Sequence, residues 1–412
     1  MFKVKFLVAD VLLLGLAGAA ASLTGCGFFP PLPSNNTCTT NCTTSVSYMY
    51  IGNRAGSAPA IAGLTLTTTT TPASGATPAS STLALSATSG SNYALSFPPT
   101  ALAITPSNSY LYVGETNGNV GGIYIYAINT DRSITLQTGS PVSTVTYPVA
   151  MQVDPTGAYL LVLNFSTATT ASVLSIYSIG TTTGALTSVG SFTMPFVGAA
   201  QQLAISSSTS VSPQNVVATL GSGGIQALTF DPTSGVLTNV SNTATKGSLN
   251  LAQGVTINPA NTYAFETETV SNLVRVFSIN PTTGALTEVG SGFSTGNGPS
   301  AVLVDSSGDY VYVTNKADNT ISGYSQLAGT GNLTSLGAAF ATGTGPVSLV
   351  EDATKTYVGV VSQGAVLTTN TGGNPDIQIY TFDATTLGNL DKAGSANTGT
   401  EPTVAGPLVA TY

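Results

Sequence analysis

The sequence of 412 residues contains no histidine. Histidine is the commonest general base, a member of the usual nucleophilic triad and a ligand in nearly all zinc and copper sites. Its absence excludes most of that chemistry, so any catalysis must use carboxylates, arginine, lysine, tyrosine or hydroxyl groups. We expect no metal ion and no cofactor.

Charged residues are also scarce, at 6% of the chain, with 17 acids against 9 bases and a net charge of −8. A nucleic-acid partner requires a basic surface, and this composition excludes one. The chain has only three cysteines but 45 glycines, 22 prolines and 42% hydrophobic residues. Together with the many threonines and serines, these numbers indicate one large all-β domain.

What the chain does contain is a repeated pair of strands. The first member is an apolar run entered through Pro or Ala, and its copies begin at Pro99, Pro148, Ala200, Ala252, Pro299, Pro346 and Pro402. The intervals of 49, 52, 52, 47, 47 and 56 residues are typical of four-stranded propeller blades. The second member shows the period-two alternation of half-buried strands, and its copies begin at Tyr48, Tyr110, Tyr159, Asn215, Tyr263, Tyr310 and Tyr357.

The order of the copies predicts a closed ring. The second-type strand at Tyr48 precedes every first-type strand, and the first-type strand at Pro402 follows every second-type strand. These two strands can pair only with each other, which removes the open edges of an unclosed array. The sequence therefore predicts an all-β fold, a seven-bladed β-propeller closed by pairing of the C-terminal strand with the N-terminal blade.

Three smaller features carry local predictions. A threonine-rich segment around residues 69–71 is predicted to be an exposed loop, and Arg275, within an alternating strand, is predicted to point to solvent. A turn signature resembling TGxLT lies between the copies, and its glycines stand where a hairpin requires a positive φ: Gly184, Gly235, Gly284, Gly331 and Gly388.

The N-terminus is predicted to be a lipoprotein signal peptide, residues 1–25, that is not part of the fold. Lys3 and Lys5 precede a short apolar stretch, and LTGC at 23–26 resembles the bacterial lipobox, in which Cys26 is acylated. Lipid chains contribute about 0.8 kcal/mol per buried methylene and hold a protein on a membrane without a spanning helix. Residues 26–46 are predicted to be a flexible tether, and residues 47–412 the propeller.

Cys38 and Cys42 remain as an even pair in a chain predicted to leave the cytoplasm. A disulfide between them is the favoured prediction. The alternative is a metal or redox CxxxC site, which is disfavoured because no other soft ligand lies nearby in the sequence.

Candidate functional residues are expected where the inner strands converge. Antiparallel pairing places the last residue of each second strand beside the first residue of an inner strand, and this position is polar in most copies. For the asparagines, the alternative is that strand ends favour this residue for turn geometry. The predicted ligand-binding residues are Asn53, Arg54, Asn164, Asn315 and Lys316, and the predicted catalytic carboxylates, if the protein is an enzyme, are Glu115 and Glu268.

YVTN at 312–315, DPTGAYLLVLN at 154–164 and the TGALT turns resemble the lactonase-like seven-bladed propellers and their YVTN-repeat relatives, over roughly residues 47–412. The resemblance implies hydrolysis of 6-phosphogluconolactone, or for YVTN relatives an envelope role. It also matches Glu115 and Glu268 to an acid that such members often carry. The family's histidine, expected near Ala150 and Gly254, is absent.

Three functions are therefore open. The first is an exported, lipid-anchored scaffold of the cell envelope that binds a small polar or sugar-like ligand or an envelope protein. The alternative is a lactonase that uses Glu115 or Glu268 in place of histidine. A structural surface-layer component is the third, and it predicts self-association.

Overall fold

The repeated strand pairs fold into seven antiparallel sheets, which are the blades of a propeller. The computed structural model describes residues 42–53, 59–73, 79–117, 120–209, 212–243, 250–363, 377–396 and 408–412. Within these ranges no helix is long and apolar enough to cross a membrane.

The strands are numbered in chain order. Blade 1 begins with β1 (Thr43–Asn53), β2 (Ala60–Thr71), β3 (Ser80–Ala87) and β4 (Tyr93–Ala94). Blade 2 contains β5 (Pro99–Ile104), β6 (Tyr110–Asn117), β7 (Val120–Ile128), β8 (Ile134–Leu136) and β9 (Val142–Thr144). Blade 3 contains β10 (Pro148–Val153), β11 (Tyr159–Asn164), β12 (Ala171–Ile179) and β13 (Leu186–Val197). Blade 4 contains β14 (Gln202–Ile205), β15 (Gln214–Thr219), β16 (Ile225–Asp231) and β17 (Val236–Thr243).

Blade 5 contains β18 (Ala252–Ile257), β19 (Tyr263–Glu268), β20 (Leu273–Ile279) and β21 (Leu286–Ser294). Blade 6 contains β22 (Pro299–Val304), β23 (Tyr310–Asn315), β24 (Thr320–Gln326), β25 (Leu333–Ser335) and β26 (Phe340–Ala341). Blade 7 contains β27 (Pro346–Glu351), β28 (Tyr357–Ser362), β29 (Ile377–Phe382) and β30 (Leu390–Ala396). The last strand, β31 (Leu408–Ala410), completes blade 1.

The predicted closure of the ring is confirmed. β31 is the innermost strand of blade 1 and pairs antiparallel with β1, with Met49 opposite Ala410 and Ile51 opposite Leu408. The N–H of Thr411 extends this ladder by donating to the carbonyl oxygen of Tyr48 at 2.9 Å. The predicted start of the strand at Pro402 lies outside the described residues.

The hydrophobic core lies between neighbouring blades. Alternate residues of a strand point to opposite faces of its sheet. One face of each blade packs on the preceding blade, and the other face packs on the following blade. For example, Val274 and Val276 of blade 5 belong to one buried cluster with Val302 and Val304 of blade 6. Both faces of a blade are therefore covered, unlike those of an open sheet.

Buried polar side chains close the inner hairpins. Asp154 Oδ1 accepts a hydrogen bond from the N–H of Tyr159 at 2.7 Å, and Asp352 Oδ1 accepts one from Tyr357 at 2.8 Å. Asp305 makes the same contact. Several of the few carboxylates in the chain thus stabilise turns.

The five turn glycines have the predicted positive φ, between 66° and 83°. Four of them also pack on a tyrosine of the preceding blade, and an added Cβ on Gly388 would lie 2.2 Å from Tyr310 Cε1. In addition, the hydroxyl of Tyr312 donates to the carbonyl oxygen of Gly388 at 2.7 Å. The turn therefore serves as a contact between adjacent blades.

We expect Gly388→Ala to lower the free energy of unfolding by about 2 to 3 kcal/mol, because it adds a steric clash to the cost of a left-handed backbone. Gly329→Ala is the matched control: its φ of 77° is similar to the 83° of Gly388, but no atom lies within 4 Å of the added Cβ. The free energy of unfolding of Gly329→Ala should fall by about 1 kcal/mol. Equal losses in urea unfolding would show that the inter-blade contact contributes nothing.

The predicted loop around residues 69–71 is wrong. β2 includes these residues, and Thr67 to Thr70 pair with Val46 to Thr43 of β1. Threonine is β-branched and favours extended backbone, so the threonine run lengthens the hairpin. β1 also begins at Thr43, so the described sheet extends into residues 26–46, which the sequence assigns to a tether.

Several N-terminal predictions lie outside the described residues. These are the signal peptide, the acylated Cys26 and the cysteine Cys38. Cys42 lies immediately before β1 and is disulfide-bonded. Its pairing with Cys38 stays a prediction.

Candidate functional site: the central cavity

The inner strands of the blades surround a cavity of about 570 Å³ on the propeller axis. Each inner strand stands at the end of its sheet, and β18 alone among the described inner strands also forms a bridge to the neighbouring blade, between Ala252 and Gly221. Alternate backbone N–H and C=O groups of such an edge strand point away from its partner. The cavity wall is therefore polar even where its side chains are apolar.

A β-bulge at the start of five inner strands leaves one residue of each strand out of the ladder. In blade 3, for example, the register shifts between Pro148 and Ala150, which leaves Val149 out of the ladder. Equivalent shifts occur in blades 2, 5, 6 and 7. The residues at this position and Gln201, which immediately precedes β14, line the cavity and are here called the bulge ring: Thr100, Val149, Gln201, Gln253, Ser300 and Val347.

Two glutamines of the bulge ring are hydrogen-bonded to each other. Gln253 Nε2 donates to Gln201 Oε1 at 2.8 Å, and Gln201 Nε2 donates to the carbonyl oxygen of Ala199 at 3.2 Å. Next to this pair, Gln202 Oε1 accepts a hydrogen bond from the N–H of Val255 at 2.9 Å. These bonds join the inner strands of blades 4 and 5 and orient the amide groups on the cavity wall.

Glu351 is an exception to the pattern of the inner strands. It is the last residue of β27 and pairs with Val358. The residues at the equivalent pairing position in the inner strands of blades 2 to 6 are aliphatic: Ile104, Val153, Ile205, Ile257 and Val304. A carboxylate at a position that is aliphatic in the other blades makes Glu351 a candidate functional residue.

The surroundings of Glu351 raise the pKa of its carboxyl group. Its Oε2 and Oε1 accept hydrogen bonds from the N–H and hydroxyl of Ser306, at 2.9 Å and 3.1 Å. Burial raises the pKa of Glu351 to about 7, the Ser306 bonds oppose this shift, and the negative charges of Asp305 and Asp352 reinforce it. A carboxyl group with this pKa exchanges protons readily at neutral pH.

The end of the cavity near Glu351 carries further polar groups. Gln152 and Thr256 precede the last residues of their inner strands, and both line the cavity. Lys355 is the one basic residue among the described residues that line it, and Asp352 is a second acid there. This end of the cavity therefore combines a titratable carboxyl with hydrogen-bonding side chains.

The predicted register of the strand-end residues is confirmed. Glu115 lies opposite Pro99, Asn164 opposite Pro148 and Asn315 opposite Pro299. The side chains of the two asparagines bond within their own blades. Asn164 Nδ2 donates to Ser175 Oγ at 2.8 Å, and Asn315 Nδ2 donates to Ser322 Oγ at 2.9 Å.

None of the predicted ligand-binding residues that the structure describes is among the residues lining the cavity. Asn53 is buried in β1 opposite Ala60, and Lys316 is exposed after β23. Arg54 lies outside the described residues. The ligand-binding role of these five residues stays a prediction.

The two predicted catalytic carboxylates are both buried. Glu115 is 7% exposed. Burial raises its pKa, and a hydrogen bond with Tyr124 opposes this shift. Glu268 is fully buried, with Oε1 2.7 Å from Arg275 Nε and Oε2 accepting a bond from Ser271 Oγ at 2.6 Å. Neither is among the cavity-lining residues, and their catalytic role stays a prediction.

Arg275 does not point to solvent, so that prediction is wrong. It is 3% exposed and forms ion pairs with Glu268 and Glu288, and it lies opposite Glu266 in the ladder. The physical reason is that the outward face of one blade is the packing face for the next. We call Glu266, Glu268, Arg275 and Glu288 the buried ionic cluster.

Glu266 is the member of this cluster with the most unusual environment. It is fully buried, and neither carboxylate oxygen has a hydrogen-bond partner among the described residues. Burial raises its pKa to about 8, the charge of Glu268 adds to this shift, and Arg275 opposes it. Glu266 is therefore mainly protonated at neutral pH.

We expect Glu266→Gln to flatten the dependence of stability on pH. The folded-state pKa of Glu266 lies above its ordinary value, so the protonated form stabilises the fold, and this contribution is lost as pH rises from about 4.5 to about 8. The variant should therefore gain stability relative to the wild type between pH 5 and pH 9 in urea unfolding. Asp309→Asn, at an exposed residue, is the control, and parallel curves for wild type and Glu266→Gln would contradict the assignment.

The bulge ring and Glu351 were not among the sequence-based candidates, yet aligning the inner strands reveals both. In the first six copies, the second column of that alignment reads Thr, Val, Gln, Gln, Ser, Val, and the sixth is aliphatic except at Glu351. The sequence therefore did contain a sign of this site, because Glu351 differs from the residues at the same position in the other repeats.

Together, the seven blades and the closed ring define a seven-bladed β-propeller with a polar cavity on its axis. The sequence profile described as "Lactonase, 7-bladed beta-propeller" matches residues 79–405. The chain therefore belongs to the lactonase family of seven-bladed β-propellers, which confirms the resemblance seen in the sequence.

Solved structures show the same architecture. The chain is similar to the periplasmic gluconolactonase of Pseudomonas aeruginosa, with 16% identity and a TM-score of 0.65 over 89% of this chain and 99% of the other. A putative 6-phosphogluconolactonase of Bacteroides uniformis shares 15% identity, with the same TM-score and coverage. A Lactobacillus plantarum protein shares 20% identity, with a TM-score of 0.62 over 89% and 100% of the two chains. At these identities the likeness shows the fold. No curated protein sequence matches significantly.

Proposed function

We propose that the protein hydrolyses a lactone in its central cavity, with Glu351 as the general base. The observation that carries the proposal is a carboxyl of pKa about 7 on the cavity wall, at a position that is aliphatic in blades 2 to 6. Family membership supports the same reaction class, as do the gluconolactonase and putative 6-phosphogluconolactonase among the similar structures.

The reaction requires water, the lactone and one proton acceptor. Ionised Glu351 takes a proton from water while the water oxygen bonds to the lactone carbonyl carbon. The bond between that carbon and the ring oxygen then breaks, and the ring oxygen receives the proton, which gives the hydroxy acid. A general base with a pKa near the working pH contributes about 10² to 10⁴ in rate.

Neighbouring groups serve to bind and orient the substrate. Gln152 and Thr256 line the same end of the cavity as Glu351 and can hydrogen-bond to hydroxyl groups of a sugar lactone. Backbone N–H groups on the axial edges of the inner strands serve as donors for the oxyanion that forms on the carbonyl oxygen. Together these groups supply the functions that a histidine-centred site would otherwise supply.

In the same proposal the protein is exported and lipid-anchored. The lipobox-like LTGC supports this, and one similar structure is a periplasmic enzyme. The scaffold function is ranked second, since family membership and the carboxyl in the cavity both favour hydrolysis.

The test is turnover of glucono-1,5-lactone and 6-phosphogluconolactone by the purified full chain, measured as acid release above the spontaneous rate. Turnover of either substrate supports the proposal. A rate equal to the background for both, with a folded protein by circular dichroism, would leave the scaffold as the better account.

A further inference from the structure

The cavity contains two polar zones at different depths. The bulge ring lies at the second residue of the inner strands in blades 2, 3, 5, 6 and 7 and just before β14 in blade 4, and Glu351 lies at the sixth residue of β27. A strand rises about 3.3 Å per residue, so the two zones are separated by about 13 Å along the axis. A single sugar ring cannot contact both.

Both zones nevertheless belong to one continuous cavity. Its volume of about 570 Å³ falls within the range of pockets that hold drug-sized ligands, about 300 to 1,000 Å³. A disaccharide reaches that size class, whereas a six-carbon lactone does not. The cavity therefore has room for a second sugar ring beyond the one placed at Glu351.

The side chains of the bulge ring suit a neutral sugar. Gln201 and Gln253 are held in place by their mutual hydrogen bond and place two amide groups on the cavity wall. The hydroxyl groups of the bulge ring are engaged or buried within the blades, since Ser300 Oγ bonds to Thr314 Oγ1 and donates to the carbonyl oxygen of Pro346, both at 2.9 Å, and Thr100 Oγ1 is buried. An amide both donates and accepts hydrogen bonds, which matches the hydroxyl groups of a carbohydrate.

The charges along the cavity disfavour a phosphorylated substrate. Phosphate recognition in proteins usually relies on arginine or several cations. Among the described residues that line the cavity, Lys355 is the one cation, and it lies with the acids Glu351 and Asp352. A phosphate dianion would therefore meet net negative charge.

We infer that the substrate is the neutral lactone of an oxidised oligosaccharide, with the lactone ring at Glu351 and a glycosyl ring at the bulge ring. This inference rests on the proposed function and specifies its substrate class. Gln201 and Gln253 are then specificity-determining residues that bind the glycosyl ring, and they take no part in the proton transfer.

The experiment compares kcat/KM for cellobiono-1,5-lactone, glucono-1,5-lactone and 6-phosphogluconolactone with the full chain. We expect the disaccharide lactone to exceed the monosaccharide lactone by about tenfold or more, mainly through KM, since each added hydrogen bond contributes on the order of 1 kcal/mol. In Gln253→Ala the ratio should fall toward one. Gln137→Ala removes an amide outside the cavity and should keep the wild-type ratio.

Binding provides a readout that does not depend on turnover. Saturation-transfer NMR with cellobiose, a neutral disaccharide, should show contact with the glycosyl ring in the wild type and a loss of that contact in Gln253→Ala. Turnover with equal kcat/KM for the two neutral lactones, or a preference for the phosphorylated one, would overturn the inference and leave the proposed function intact. Absence of turnover with all three lactones would contradict the proposed function, and absence of cellobiose binding would then remove the sugar subsite as well.

Discussion

Arg275→Met is expected to lower the free energy of unfolding by about 3 to 5 kcal/mol at pH 7, the usual cost of leaving buried charges without their partner. Arg275 is the one cation of the buried ionic cluster, and it forms ion pairs with Glu268 and Glu288. Methionine fills much of the same volume as arginine. The loss in the free energy of unfolding is therefore due mainly to the carboxylates that have lost their cation, and only to a small extent to a cavity. Urea unfolding measures it directly.

The control for this prediction is Lys392→Met, which removes a cation from the exposed face of β30. A change within about 0.5 kcal/mol is expected there. Both variants are compared with the wild type at pH 7. An equal change in the free energy of unfolding for Arg275→Met and Lys392→Met would show that the ion pairs of Arg275 contribute nothing to stability.

Glu351→Gln is expected to lower kcat for lactone hydrolysis by about 10² to 10⁴, because an amide of the same shape cannot accept the proton from water. The amide oxygen can still accept one hydrogen bond from Ser306, so the fold should persist. The measurement is the steady-state rate with glucono-1,5-lactone, corrected for spontaneous hydrolysis.

Three further variants separate Glu351 from other carboxylates. Asp391→Asn changes an exposed acid in β30 of the same blade and should leave kcat unchanged. Glu115→Gln and Glu268→Gln test the two residues that the sequence analysis assigned to catalysis. A large loss in either of these, with Glu351→Gln near the wild-type rate, would move the active site to the strand ends of blade 2 or blade 5.

The architecture could be predicted from the sequence because it depends on a repeat. The strand pairs recur at nearly constant intervals, and the unpaired copies at the two ends require closure, as the pairing of Met49 with Ala410 confirms. The glycine turns could also be predicted from the sequence, since Gly184 and its equivalents have a positive φ, which other residues rarely adopt.

The cavity wall was harder to predict because it depends on β-bulges. The strand-end residues such as Asn164 were expected to face the ligand, and their register was correct. The bulge, however, leaves the neighbouring residue Val149 out of the ladder and on the cavity wall, while Asn164 bonds to Ser175 in its own blade. A bulge reverses the alternation of side chains along a strand, and period-two patterns alone do not show where it occurs.

The prediction that Arg275 points to solvent was wrong because both faces of a blade are covered. In an open sheet one face meets water, and a residue such as Arg275 is expected on that face. In a propeller both faces of a blade are covered by its neighbours, so Arg275 needed Glu268 and Glu288 as partners. In a chain with only 6% charged residues, three acids and one arginine in adjacent strands were the available signal.

The most direct test of the central claim is the pH dependence of kcat/KM for glucono-1,5-lactone, measured from pH 5 to pH 9 in the wild type and in Glu351→Gln. If Glu351 is the general base, the wild-type value should rise with a midpoint near pH 7, because only the ionised carboxylate accepts the proton. The variant should show a low rate without that midpoint. A profile shared by both proteins would contradict the assignment of Glu351 as the base.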